Sequence, residues 1–236
     1  VWTYDKKDKW ASWQSLQKDL RAESFDQVFV AQRFFGMGLL SLSIGARKVI
    51  GFDKNPLSWF FTERVPHEWG TGKHETERNT ALLSSWLGSK VYSPHLSPVA
   101  QDLPVGLKEK DYICISPGSV WETKRTPVRV WIDFIKLLPK TQLVVLMGAP
   151  NEVHLAEEIE KACPENTIIN EAGKHNLVDA IRIYQHSLMS YVNDSGPLHI
   201  CSAVDTPTVA VFCSTLPSFG FGPLASWNRI VEVGDL

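Results

Sequence analysis

Two short segments of this 236-residue chain carry side chains suited to phosphate and hydroxyl groups. The first is Pro117-Gly118-Ser119-Val120-Trp121-Glu122-Thr123-Lys124-Arg125. Gly118 lets backbone approach a ligand closely, and Ser119 offers a hydroxyl. Lys124 and Arg125 supply positive charge for phosphate oxygens. The second is Asn193-Asp194-Ser195-Gly196-Pro197-Leu198-His199. Ser195 or Gly196 can cap a helix there, and Pro197 fits its first turn. A helix N-terminus with free N–H groups attracts anions, and Asp194 can accept hydrogen bonds from sugar hydroxyls. Each segment alone also suits an ordinary solvated loop or a capping aspartate. Together they suit a ligand with phosphate at one end and hydroxyls at the other.

The elements around these segments must place them on one side of a sheet. Apolar bursts alternate with helix-like stretches, the pattern of a parallel α/β fold. Residues 108–236 carry strands at 112–116, 142–147, 167–169, 188–192 and 208–213. Helices at 128–138, 152–162, 177–185 and 197–203 separate them. This predicts a compact Rossmann-like domain, with both segments at carboxyl ends of strands, where such sheets bind ligands. The apolar run Ile230-Val231-Glu232-Val233 reads as one further strand. Residues 1–107 predict a second α/β unit. It has helices at 10–22, 38–44 (closed by Gly45) and 75–87, and strands at 27–31 and 48–53. It ends in an interdomain linker from Tyr92 to Leu107 that contains Pro94, Pro98 and Pro104.

Composition narrows the function further. A net charge of -2 gives no electrostatic case for nucleic acid. No apolar run approaches the roughly 20 residues that span a bilayer. The four cysteines lack a C-x-x-C pair, and three lie in apolar segments, as buried free thiols in a reducing compartment do. No Asp-x-Asp occurs, so no metal-bridged diphosphate is indicated. His154, His175 and His186 have no ligand-like partners in sequence and read as surface or capping residues, and Trp121 is the tryptophan best placed to wall a site. A competing signal lies near the start. Gly36-x-Gly38 after a strand, with Asp53 at the end of the next, imitates a dinucleotide fingerprint. Ser41 stands at its third glycine position and Arg33-Phe34-Phe35 crowds the turn, so an NAD-dependent oxidoreductase is a weaker alternative.

Pro117-Gly118-Ser119 with Thr123-Lys124-Arg125, followed by Asn193 to His199, resembles the family 9 glycosyltransferases, the ADP-heptose:lipopolysaccharide heptosyltransferases. The likeness is greatest to the heptosyltransferase II branch. Thr206-Pro207-Thr208-Val209-Ala210-Val211-Phe212 and Gly72-Lys73-His74-Glu75-Thr76-Glu77-Arg78-Asn79 match that family as well. The resemblance implies a GT-B fold of two Rossmann-like domains with parallel sheets, acceptor on the first and ADP-sugar on the second. It implies that Lys124 contacts the diphosphate, assisted by Ser119 beside Gly118. It places Asp194 near the donor sugar, with Ser195 and Gly196 at the helix start, and Glu152 at the ribose. Arg78, Lys73 and Arg33 would face an anionic acceptor, the Kdo–heptose core on lipid A.

The implied reaction is an inverting, metal-independent transfer from ADP-heptose that needs no cofactor. Lys124 and Asp194 are its candidate catalytic residues. A lipid acceptor implies a cytoplasmic protein in peripheral contact with the inner membrane. Family members begin with a strand and a glycine-rich turn that bears the aspartate proposed as catalytic base, and nothing near Val1 replaces it. They also continue into a helical tail. The first domain is therefore expected to be incomplete and the 236-residue chain inactive or nearly so, which measurable heptosyl transfer by it would overturn. A non-catalytic nucleotide-sugar or carbohydrate-binding module is the third reading.

Overall fold

Buried strands and amphipathic helices gather into two units, Val1–Tyr92 and Ser93–Leu236. The computed structural model describes residues 1–5, 7–88, 90–97, 103–104 and 106–232. In the first unit, α1 (Lys9–Ala22) starts at Asp8, whose carboxylate accepts the Ala11 N–H. Strand β1 (Gln27–Val30) leads to α2 (Phe35–Ser43), and β2 (Lys48–Phe52) follows. Gly45 just past α2 takes φ 81°, the left-handed conformation glycine supplies at a helix end. A third strand, β3 (Glu63–Val65), lies within the aromatic-rich stretch where the sequence predicts none. The three pair in parallel in the order β1-β2-β3.

The single helix expected over 75–87 is two, α3 (Glu75–Ala81) and α4 (Ser84–Leu87). Leu82 and Leu83 donate to Asn79 O and Thr80 O in tight i→i+3 bonds. Leu82 thereby reaches the core of Ile50, Phe52 and Val65.

The second unit holds β4 (Tyr112–Ser116), α5 (Val128–Leu137), β5 (Leu143–Leu146), α6 (Val153–Ala162) and β6 (Ile168–Asn170). It continues with α7 (Leu177–Gln185), β7 (Met189–Asn193), α8 (Gly196–Ala203), β8 (Thr208–Phe212) and β9 (Asn228–Glu232). Every pairing is parallel, in the order β6-β5-β4-β7-β8-β9. β9 starts before the terminal apolar run, and Val233 of that run lies outside the described residues. β4 is buried along its whole length, as the centre of a two-faced parallel sheet must be. Alternate residues serve opposite faces. Tyr112 and Cys114 pack with Ile183 of α7 and Leu198 of α8. Ile113 and Ile115 pack with Trp131 of α5 and Ile159 of α6.

The stretch from Ser93 clusters with the second unit rather than separating the two. Leu96 N–H donates to Ala203 O at 2.9 Å, and Leu107 is buried in the core with Tyr112. Pro94 and Pro104 lie outside any helix or strand, yet the segments that hold them pack. Pro98 lies outside the described residues. Among the described residues no helix is long and apolar enough to cross a membrane.

Candidate functional site

Chain direction across the second sheet reverses between β4 and β7. From β4 the chain moves outward through β5 to β6, then returns to lay β7 on the other side. Loops leaving β4 and β7 therefore diverge and open a crevice at their carboxyl ends, the usual ligand position in such sheets. Both chemistry-bearing segments are those two loops.

Asn193, the last residue of β7, joins them. It is fully buried. Its amide N–H groups donate to Pro117 O at 2.9 Å and Gly118 O at 3.1 Å, with a longer bond to Ser116 O. Its Oδ1 accepts from Thr126 N at 3.0 Å and Thr126 Oγ1 at 2.6 Å. One side chain thus holds both ends of the loop 117–126. Within it, Arg125 Nε donates to Ser119 O at 2.8 Å, which occupies part of that guanidinium with loop structure.

A 3-10 turn, Glu122–Lys124, then delivers Lys124 to Asp194. Lys124 Nζ lies 2.6 Å from Asp194 Oδ2. The same oxygen accepts a 2.6 Å hydrogen bond from Thr215 Oγ1, just past β8. The Asp194 side chain is 5% exposed and that of Lys124 25%. Ser195 precedes α8 in extended backbone and makes no side-chain cap bond. Its hydroxyl donates to Asn193 O, which leaves the α8 N-terminus without a cap from the Ser195 side chain.

Beside this pair is a cavity of about 350 Å³, contained in the second unit. Gly118, Ser119, Ser195, Gly196 and Pro197 line one part, Gly148 to Pro150 and Glu152 another, and His175, Leu177, Ala180 and Tyr184 a third. Glu152 Oε2 accepts the Ala149 N–H at 2.9 Å, and its carboxylate lies directly against Gly118, where a Cβ would overlap it. Five of the predicted donor residues, Gly118, Ser119, Glu152, Ser195 and Gly196, thus share one wall system. Lys124 and Asp194 are tied to it through Asn193 and the start of α8.

Sequence reasoning passed over three participants. His175 lines the cavity with Nε2 against Glu171, whose other oxygen is 3.2 Å from Lys174 Nζ. Tyr184 lines it with its hydroxyl 2.8 Å from Ser116 Oγ, and burial pushes that phenol well above its usual pKa. Thr215 is the third. Trp121 is exposed and lies outside the cavity lining.

The first unit gathers Arg33 and Arg78 around Trp69, with Lys73 joined to them through its carbonyl. The guanidinium carbons of Arg33 and Arg78 lie 5.7 Å and 5.2 Å from the Trp69 ring centroid, within cation–π range. Arg78 is buried, with Nε 2.7 Å from Glu75 Oε2 and Nη1 2.6 Å from Lys73 O. It therefore shapes the loop that presents Lys73, while Lys73 itself is half exposed and paired with Glu68. A cavity of about 240 Å³ borders Lys73, Arg78, Glu68, Glu77 and Lys90. The dinucleotide-like glycine and acid have packing explanations. Gly38 is pressed against the buried Asn55, and Asp53 Oδ1 accepts the His67 N–H at 2.9 Å.

The family model described as glycosyltransferase family 9 (heptosyltransferase) matches residues 13–235. Over 223 residues the chain is 31% identical to lipooligosaccharide heptosyltransferase 2 of Haemophilus influenzae, covering 92% of this chain and 56% of that protein. It therefore spans little more than half the length of that curated relative. The solved ADP-heptose lipopolysaccharide heptosyltransferase II of Escherichia coli superimposes with a TM-score of 0.78 at 22% identity, over 94% of this chain and 72% of that one. The E. coli heptosyltransferase WaaC with ADP gives 0.73 at 20% identity, over 97% and 72%. At these identities the structural likeness establishes the fold, GT-B with parallel α/β sheets.

Proposed function

The chain belongs to glycosyltransferase family 9, and on that premise we propose that it serves heptosyl transfer from ADP-heptose to the inner core of lipopolysaccharide. The observation that carries this reading is the cavity at the β4–β7 crevice, with Lys124, Asp194 and the uncapped start of α8 at its edge. A diphosphate there meets an ammonium and helix N–H groups, and Asp194 and Glu152 are acceptors for sugar and ribose hydroxyls. An acceptor hydroxyl gives up its proton to a base as its oxygen attacks the anomeric carbon and ADP departs from the opposite face, which inverts that carbon. Negative charge then grows on the diphosphate, where Lys124 and the α8 N-terminus stabilise it. A charged or oxyanion contact of this type is worth about 10²–10³ in rate. Neither metal nor cofactor enters this scheme. Arg33 and Lys73, with Arg78 bonded to the Lys73 carbonyl, meet the anionic acceptor at the cytoplasmic face of the inner membrane.

Calorimetry with ADP and with NAD tests the reading, with Lys124→Ala as comparison. ADP binding that weakens about tenfold or more in the variant is expected, as for a lost charge-assisted bond. NAD binding without ADP binding would overturn it in favour of a dehydrogenase.

A further inference from the structure

Resting on that donor-site reading, we infer that the Lys124–Asp194 pair is a latch which a diphosphate must open, so that the site holds the complete nucleotide sugar more tightly than ADP alone. Lys124 Nζ lies 2.6 Å from Asp194 Oδ2, and an ammonium drawn towards a diphosphate holds that carboxylate less strongly than one paired with it alone. Among the described residues no other cation pairs with Asp194. Its Oδ1 accepts no hydrogen bond from them, while Oδ2 also takes the Thr215 hydroxyl. When phosphate oxygens draw Lys124 away, a carboxylate that is 5% exposed retains Thr215 Oγ1 alone.

A buried carboxylate stripped of its cation is costly. It also repels the incoming phosphates. ADP brings nothing to offset either effect at this position. A sugar still joined to the diphosphate brings hydroxyl donors, which Asp194 can accept through the vacant lone pairs of Oδ1 and through Oδ2. The donor therefore opens the latch with compensation and the product without it. After transfer the sugar is gone, Lys124 returns to Asp194, and ADP is released. Stronger binding of what reacts than of what remains is how turnover avoids being throttled by its product.

Thr215 has a separate part as a positioning residue. Its hydroxyl keeps a grip on Oδ2 while Lys124 is away, which fixes the plane of the carboxylate towards the sugar. It comes from the loop after β8, on the far side of β7 from the Lys124 loop. Asp194 is thus held from both flanks, one grip exchangeable and the other permanent.

Calorimetric titration of ADP and of ADP-heptose into the 236-residue chain tests this, with Asp194→Asn, Thr215→Val and Thr215→Ser beside it. The wild-type chain is expected to bind ADP-heptose about tenfold or more tightly than ADP, the range of a partly buried ion pair. Asp194→Asn frees Lys124, so ADP tightens about tenfold while ADP-heptose weakens. Thr215→Val weakens ADP-heptose several-fold beyond its effect on ADP, and Thr215→Ser restores the difference. A loss of packing alone would move both ligands together.

Equal wild-type affinity for the two ligands overturns the latch, whether or not the variants fold. So does an Asp194→Asn protein that melts cooperatively and binds ADP no more tightly, and in both cases the donor-site reading survives. A folded wild-type chain that binds neither ligand removes that reading, and the latch with it.

Discussion

Replacing Gly118 with alanine separates the function of this loop from its stability. A methyl carbon built on Gly118 falls within 2.5 Å of the Glu152 carboxylate carbon and both of its oxygens. Ordinary non-bonded separations are about 3.5–4.0 Å, so the carboxylate must retreat by about an ångström. The obstacle is the far end of a flexible side chain, and Gly118 needs no left-handed backbone. The fold therefore loses little. Its main loss is the Ala149 N–H bond to Glu152 Oε2, about 1 kcal/mol, or roughly 2–4 °C in Tm.

The ligand loses more. If Glu152 accepts the ribose hydroxyls of ADP, its displacement forfeits a charged hydrogen bond of about 1.5–3 kcal/mol. That is roughly a 10–100-fold rise in Kd. Titration calorimetry with ADP and scanning calorimetry on the same protein measure the two quantities together. Repeating the substitution in a Glu152→Ala background closes the cycle, because the methyl group then has room and its added cost should nearly vanish. ADP affinity unchanged to within about twofold would refute the reasoning. An equal loss in both backgrounds would move the clash from Glu152 to the ligand.

Asn193→Ala removes the partners of Pro117 O, Gly118 O, Thr126 N and Thr126 Oγ1 together. A stability loss of about 2–4 kcal/mol is expected, read as a Tm fall of roughly 5–15 °C. A fall of under about 2 °C would show that the loop 117–126 is held by other means. His67 sets a pH dependence in the first unit. Burial lowers its pKa below 6.5, reinforced by Arg33 and Arg78 and opposed by Glu75. The unfolded chain therefore takes up the proton first on acidification. The stability His67 confers is complete above the unfolded value and declines as pH falls through 6.5 towards the lower folded value. Tm measured between about pH 7.5 and pH 5 should fall with acid, and His67→Leu should flatten that slope. An unchanged slope in the variant would assign the dependence to other groups.

What the sequence discloses is local, and what it conceals depends on partners far along the chain. The bounds of β4 and α7 follow from apolar runs and periodicity alone, and Gly118, Lys124 and Asp194 declare themselves by type and by position at strand ends. Asn193 is visible as part of a motif, yet its role depends on carbonyls 75 to 77 residues away. His175 and Glu171 are four apart, which signals a pair only on a helix. Here both lie in the loop between β6 and α7, so the spacing carries no such meaning. β3 is three residues long and shows no alternation to detect. The helix break at Leu82 has no glycine or proline to announce it, because burial of Leu82 decides it. Arg78 carries the charge expected of an acceptor-facing residue, but Glu75 and the Lys73 carbonyl engage it inside the fold.

The strand order also sets when this chain can first bind anything. β4, β5 and β6 are neighbours both in sequence and in the sheet, so they can pair as soon as each is made. The other half of the crevice arrives only when β7 inserts beside β4 and closes contacts across some 70 residues. Such long loop closures come late in folding and slow it. Until then the glycine loop lacks its staple and Lys124 its counter-ion. Binding competence is thus a late property of this unit as it emerges, and a ligand grips only a sheet in which β7 is in place. By mass action any ligand of that crevice pulls the folding equilibrium towards completion, so it selectively stabilises correctly closed molecules.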